Sequence, residues 1–420
     1  MKVGALLLLG ILAREAFSFW TGHPFDFEIW VRTGYWVANG VSPYTPMPFV
    51  KGLSFANDFG GPGLDPLIAY LPFWPVLLGG LYKLYLLLGA PSRFVYYFLL
   101  KQPIIISDVL LAYGLFRYVG RRGSNQASFV LKLWLFSPFN IVLSGIWGMW
   151  DAIPILFVVL ALSVRPGAYR GFWAGVSTFM KSIPVIYAIP LARGPRPARN
   201  LAIAIGVPVL ASLAIVLLAG WKISSFQIAV QSTLARGGSS LSLWEVAYYL
   251  NSLGVVSNSA LNLLIGTGYV WIVAVAVATV VAYKWFGFDT DRGVIQSLVV
   301  ITLTFMLLRG VVNEQYSLYF FALALIDVAL WSPQRRNILL IGMGAVLAFN
   351  VTNVLLFIRY VTPIVPQALA IEANIVAVYG AERNFLLIVE AVVLWMVEMY
   401  YFYSLAKERH FRTEDSSFAY

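Results

Sequence analysis

Cysteine is absent, histidine occurs only at His23 and His410, and charge is scarce, at 11% of 420 residues. Without cysteine, neither disulfides nor thiolate chemistry is available, and no redox compartment can be inferred. Two distant histidines do not make a metal site. An ordinary soluble domain carries roughly 25% charged residues, so this composition excludes one. No low-complexity tract, soluble domain or internal repeat is present. Period-2 alternation does not dominate, which argues against a β-barrel. What the chain has instead is 60% hydrophobic residues. Apolar runs of about 18 residues recur along it, as in an all-α polytopic membrane protein. A formal charge of +10 would suggest nucleic acid in a soluble protein. Here the cations cluster in short loops, where they fix topology and meet anionic headgroups, so no nucleic-acid partner is expected.

These clusters are Lys2; Arg117, Arg121 and Arg122; Arg165 and Arg170; Arg193, Arg196 and Arg199; Arg335 and Arg336; then Lys407, Glu408 and Arg409. If all are cytoplasmic, an even number of crossings separates each neighbouring pair. The first 20 residues read as a retained helix, because no small-x-small cleavage site follows the apolar stretch. Between Arg170 and Arg193 the parity favours two half-helices bent around "MKSIP". The segment 66–88 is apolar enough to span, but a crossing there breaks parity, so an interfacial or re-entrant path is expected. The expectation is a single membrane domain, 1–420, with about 12 transmembrane helices and both termini cytoplasmic. Residues 21–93 form a long first external loop with interfacial helices, and 221–258 form a second.

That topology, built without the polar residues, places them on one side: Asp26, Glu28 and Arg32; Asp58 and Asp65; Asp151; Lys181; Arg309, Asn313, Glu314 and Gln315. Ionisable groups at a membrane segment are costly unless paired or wet, which makes each a functional candidate. Each also has a plain reading. Glu28 and Arg32 stand at i,i+4 and would pair on a helix. Asp151 would cap the helix that follows it. Lys181 would snorkel and Arg309 would anchor a helix end. Asp108, inside "IIISDVLLAYGLF", reads as a buried structural partner.

"FDFEIW" followed by "NGVSPYTP" resembles the opening external loop of the GT-C glycosyltransferases, nearest the catalytic subunits of GPI mannosyltransferase I. "LDPLIAYLPF", "WLFSPFNIVLSGIWGMWDAIPILF", "FMKSIPVIYAIP" and "NEQYSLYFF" are similar to further elements of that family, in its order. Glu28 stands where the family has a second Asp, and Asn313 replaces a His of the related glucosyltransferases. The resemblance implies an inverting transferase of GT-C type. It would move a hexose, mannose in first place, from a polyprenyl (dolichyl) phosphate donor to a hydroxyl of a glycolipid or lipid-linked glycan. It implies Asp26 as general base with Glu28 beside it. Lys181, Arg309, Asn313, Glu314 and Arg32 would bind donor phosphate or sugar, and Asp151 and Asp65 the acceptor. No cofactor is fixed; the Asp26/Glu28 pair is the candidate ligand set for Mg²⁺ or Mn²⁺. Lipid and a small membrane subunit complete the expected partners. The expected site is extracytoplasmic, in the plasma membrane of a prokaryote or the endoplasmic reticulum of a eukaryote. A transporter or flippase of lipid-linked sugars and a non-catalytic glycosylation subunit are the competing readings.

Overall fold

The computed structural model describes residues 2–45, 53, 55, 58–59, 68, 70–232, 239–267, 269–354 and 358–417. Asp65 lies outside the described residues, as does part of the 66–88 segment. The helices are α1 (Val3–Ser18), α2 (Asp26–Ala38), α3 (Phe73–Leu87), α4 (Arg93–Gly120), α5 (Ala127–Phe136), α6 (Pro138–Ile141), α7 (Ala152–Ser163), α8 (Ala168–Met180), α9 (Ala188–Leu191) and α10 (Pro197–Leu218). There follow α11 (Ile223–Ser232), α12 (Leu243–Ser252), α13 (Asn258–Gly266), α14 (Val270–Phe286), α15 (Asp291–Leu308), α16 (Ser317–Leu330), α17 (Arg336–Asn353) and α18 (Ala368–Ser417). Among the described residues the one β pairing is a two-residue parallel bridge, Ser239–Ser240 against Val311–Val312.

The chain is thus an all-α protein with several apolar helices, as a membrane protein requires. Among the described residues four helices are long and apolar enough to cross a bilayer: α4, α10, α15 and the Ala368–Glu408 part of α18. At 1.5 Å per residue the 28 residues of α4 reach about 42 Å. A fifth span is available if α5 and Pro138–Trp147, bent by 50°, are taken together. The bend has a local cause, since Pro138 cannot continue the preceding helix and Ser137 is extended before it. The helices α3, α7 and α14 are apolar but shorter.

Charge separates the two ends of this bundle. At one end Arg122 and Arg170 reach Asp291, Arg193 reaches Asp289, and Arg292 and Arg335 share Glu408. The basic loops between helices are therefore joined to one another, as a common face demands. The break at Lys181 separates α8 from a 3₁₀ turn, Ile183–Tyr187, and α9. The return is direct: a Cβ on Gly194 would fall 2.7 Å from Pro166, so 166 and 194 meet at the same end. At the opposite end α3 packs along α2, where Gly34 and Gly79 permit backbone approach to Leu78 and Val37. Tyr82 and Tyr85 of α3 meet Tyr96 in the first turn of α4.

Candidate functional site

The site end is assembled by the loop after α1 and the turn before α7. Residues 142–147 coil as a π-helix, and Gly148 ends it with φ +83°, where a side chain would strike the Phe27 ring. This turn aims Trp147 at Asp26, whose Oδ2 accepts from the indole Nε1–H at 3.2 Å. His23 stacks on Trp147 with ring centroids 4.3 Å apart. Its Nδ1 accepts the backbone N–H groups of Phe25 and Asp26 at 3.2 and 3.0 Å, so His23 caps α2. Burial, then the charge of Arg359, pushes His23 down to about 3. The imidazole is neutral, and its 3.3 Å approach to Asp26 is not an ion pair. Asp26 itself is partly exposed.

Glu28 differs. It is 2% exposed and accepts from Arg32, itself buried, in the i,i+4 pair that the spacing allows. On a helix that begins at Asp26, positions i and i+2 point to different faces. The two carboxylates therefore do not converge. Among the described residues no group of three or more Asp, Glu, His or Cys is arranged to hold a metal ion. The Asp26/Glu28 pair does not fit as a chelate for Mg²⁺ or Mn²⁺.

Asp151 and Lys181, expected on different substrates, are one ion pair. Lys181 Nζ donates to both carboxylate oxygens at 2.8 and 2.7 Å, and the two side chains are 0% and 3% exposed. Asp151 stands at the N-cap of α7, yet its side chain makes no cap bond there. Lys181 does not snorkel. Burial raises the Asp151 carboxyl above its usual range, and the Lys181 ammonium holds part of that rise back. Three rings surround the ammonium: Trp150 at 5.1 Å, Tyr316 at 5.2 Å and Tyr70 at 5.8 Å. Beside the pair opens an apolar groove of about 460 Å³, lined by Leu71, Thr178, Ser182, Val185, Pro208 and Phe226.

The Tyr316 ring also faces Arg309, 5.4 Å away, which lies against Phe305 and Trp271 at 4.9 and 5.5 Å. Arg309 ends α15 in an extended conformation and forms no ion pair among the described residues. The bridge at Val311–Val312 then fixes the path to Glu314. Glu314 is buried and accepts from Asn353 at 2.8 Å, while Arg383 of α18 donates to Asn353 Oδ1 at 2.9 Å. Burial, Glu314 and Asp26 together raise the Tyr360 phenol, so both carboxylates act on one ring. Asn313 is the extended residue that precedes Glu314. Asp58 is drawn to Arg93 and the Tyr97 hydroxyl, at 3.1 and 2.6 Å, away from this set.

Sequence reasoning missed Tyr316, Asn353, Arg383 and His23. Tyr316 sits beside the polar candidates of "NEQYSLYFF" but reads there as a packing aromatic, and Asn353 and Arg383 lie in the last hundred residues, where spacing marks no chemistry. His23 was visible as a lone histidine three residues before Asp26.

No family model matches the chain. Over 169 residues it is 27% identical to GPI mannosyltransferase 1 of Eremothecium gossypii, a stretch covering 37% of this chain and 42% of that protein. The match spans less than half of the relative's length. It supports a glycosyltransferase of that kind, carried here by an all-α membrane protein.

Proposed function

We propose that the chain is an inverting GT-C glycosyltransferase that moves mannose from a polyprenyl (dolichyl) phosphate to a hydroxyl of a glycolipid. The observation that carries this reading is the presence of a partly exposed carboxylate beside Trp147 and of a cation, stacked among aromatic rings, that forms no ion pair among the described residues. Asp26 is the carboxylate and Arg309 the cation. Asp26 takes the proton of the acceptor hydroxyl as its oxygen attacks the anomeric carbon. The bond from that carbon to the phosphate oxygen breaks, and the phosphate leaves with the bonding pair. Its charge needs a preorganised donor, which Arg309 supplies from its aromatic shelf. One displacement converts a β-linked donor to an α-linked product.

Glu28 and Arg32 support α2 from its buried face. Lys181 is already neutralised by Asp151, so this pair shapes the site rather than gripping phosphate. Asn313 and Glu314 hold sugar hydroxyls. The groove beside Ser182 suits an isoprenoid chain in wall chemistry and position. The charged end faces the cytoplasm, and the site opens on the extracytoplasmic side.

Membranes containing the protein should transfer radiolabel from polyprenyl-phosphate mannose to a glycolipid. Asp26→Asn should abolish transfer at unchanged protein level. Full activity in that variant would remove Asp26 as the base. Donor-independent lipid movement in proteoliposomes would favour a flippase instead.

A further inference from the structure

Lys101 lies in α4, eight residues after the first, followed by Gln102 in an otherwise apolar stretch, and is 0% exposed. Its ammonium forms no ion pair among the described residues. Glu15 lies nearby, but its Oε2 accepts from Ser18 Oγ at 2.6 Å and Gln102 Nε2 at 3.2 Å. Four oxygens surround Nζ instead: Thr21 O at 2.6 Å, Thr21 Oγ1 at 2.9 Å, Gly145 O at 2.9 Å and Ile146 O at 3.0 Å. The Phe27 ring lies 5.1 Å away. A buried charge of this kind is expensive, and carbonyl dipoles offset the cost only if they are held in place.

The two segments joined here matter more than the charge. Thr21 precedes His23 and Asp26, and Gly145–Ile146 precede Trp147. Without a bridge, two loops with separate anchors would each have to bring one side of the Trp147–Asp26 contact into register. We propose that Lys101 is a positioning residue for Asp26, holding the loop after α1 against the π-turn so that the Trp147 N–H meets the carboxylate. The inference rests on the reading of Asp26 as base.

The Trp147 bond stabilises the charged carboxylate, so losing it raises the Asp26 pKa. Lys101→Met should therefore lower kcat about 100-fold, the size of a roughly 1 Å misplacement. The donor KM should stay within about threefold, because Arg309 is untouched. The acidic limb of the kcat/KM profile should move to higher pH. Trp147→Phe should move it the same way, and the double variant should add little. Thr21→Val removes one of the four oxygens and serves if Lys101→Met does not accumulate; it should lose about tenfold in kcat with the same limb shift. Hydrogen exchange, read independently of activity, should rise together in residues 21–26 and 145–149. A wild-type protein without transfer would defeat the catalytic reading, while joint exchange in those segments would still uphold the bridge. Unchanged kcat and pH profile, a loss confined to KM, or unchanged exchange would overturn the proposal.

Discussion

Replacing Lys181 by Met should destabilise the protein by about 3–5 kcal/mol, the cost of leaving one member of a buried ion pair behind. The size follows from the surroundings of Asp151: its side chain is 0% exposed, and both oxygens are occupied by the one ammonium. Burial raises the Asp151 carboxyl and Lys181 is the largest group opposing that rise, so removing Lys181 lets it go further, held back then by the Tyr319 hydroxyl and the backbone. The sign follows. A carboxyl whose folded pKa exceeds its unfolded value, ordinarily about 4, favours the fold least when it must ionise. The penalty in Lys181→Met should be small near pH 4 and should grow as pH rises towards the folded pKa. Asp151→Asn combined with Lys181→Met removes both charges and should recover most of the loss, because neutral replacements of buried pairs cost little. Intrinsic fluorescence of the 14 tryptophans during thermal unfolding in detergent gives the readout. A double variant as unstable as Lys181→Met, or a penalty that does not change with pH, would refute the reasoning.

Arg309→Gln should lower kcat/KM for the donor about 10- to 100-fold with no change in Tm, since a hydrogen bond to a charged group contributes about 1.5–3 kcal/mol. His23, held down to about 3, stays neutral through the working range. Because its unfolded value is about 6.5, stability should be lost as pH falls from about 6.5 to about 3, and Tm measured against pH in wild type and His23→Asn should show that part disappear. A Cβ on Gly145 would fall 2.9 Å from the Arg14 carbonyl oxygen, so Gly145→Ala should cost about 1–3 kcal/mol by overpacking, read as a lower Tm.

The grouping of charge was legible in the sequence because loop cations and buried carboxylates obey different solvents. Arg122, Arg170, Arg193 and Arg335 could be put on one face before any contact was known, and their ion pairs join there. The i,i+4 spacing of Glu28 and Arg32 was equally readable, and so was the structural part of Asp108. That carboxylate takes Arg14 at 2.7 Å, Trp134 at 2.8 Å and Ser144 at 2.8 Å. Partnership across distant segments was not readable. Asp151 and Lys181 are 30 residues apart, and nothing in either motif says that each is the other's counter-ion. The about 12 crossings were counted from apolar runs and charge parity; among the described residues four continuous helices meet the length that a bilayer asks. Breaks at Ser137 and Lys181 divide the rest into pieces that only packing can join. Lys101 was visible as a charge inside an apolar helix, but its meaning lies in four oxygens from elsewhere in the chain.

The ion pairs of the bundle differ widely in exposure, and this divides them into contacts that salt can loosen and contacts that it spares. Asp289, Asp291 and Arg122, which tie the basic loops, are 84%, 38% and 26% exposed, although Arg335–Asp327 beside them is buried at 3% and 0%. Asp151–Lys181 and Glu28–Arg32 at the other end are at most 3% exposed. At 1 M salt the screening length falls to about 3 Å, which reaches surface pairs and spares dry ones. Salt should therefore loosen the pairs among the basic loops, and Arg93–Asp58 with them, while Asp151–Lys181 and Glu28–Arg32 hold.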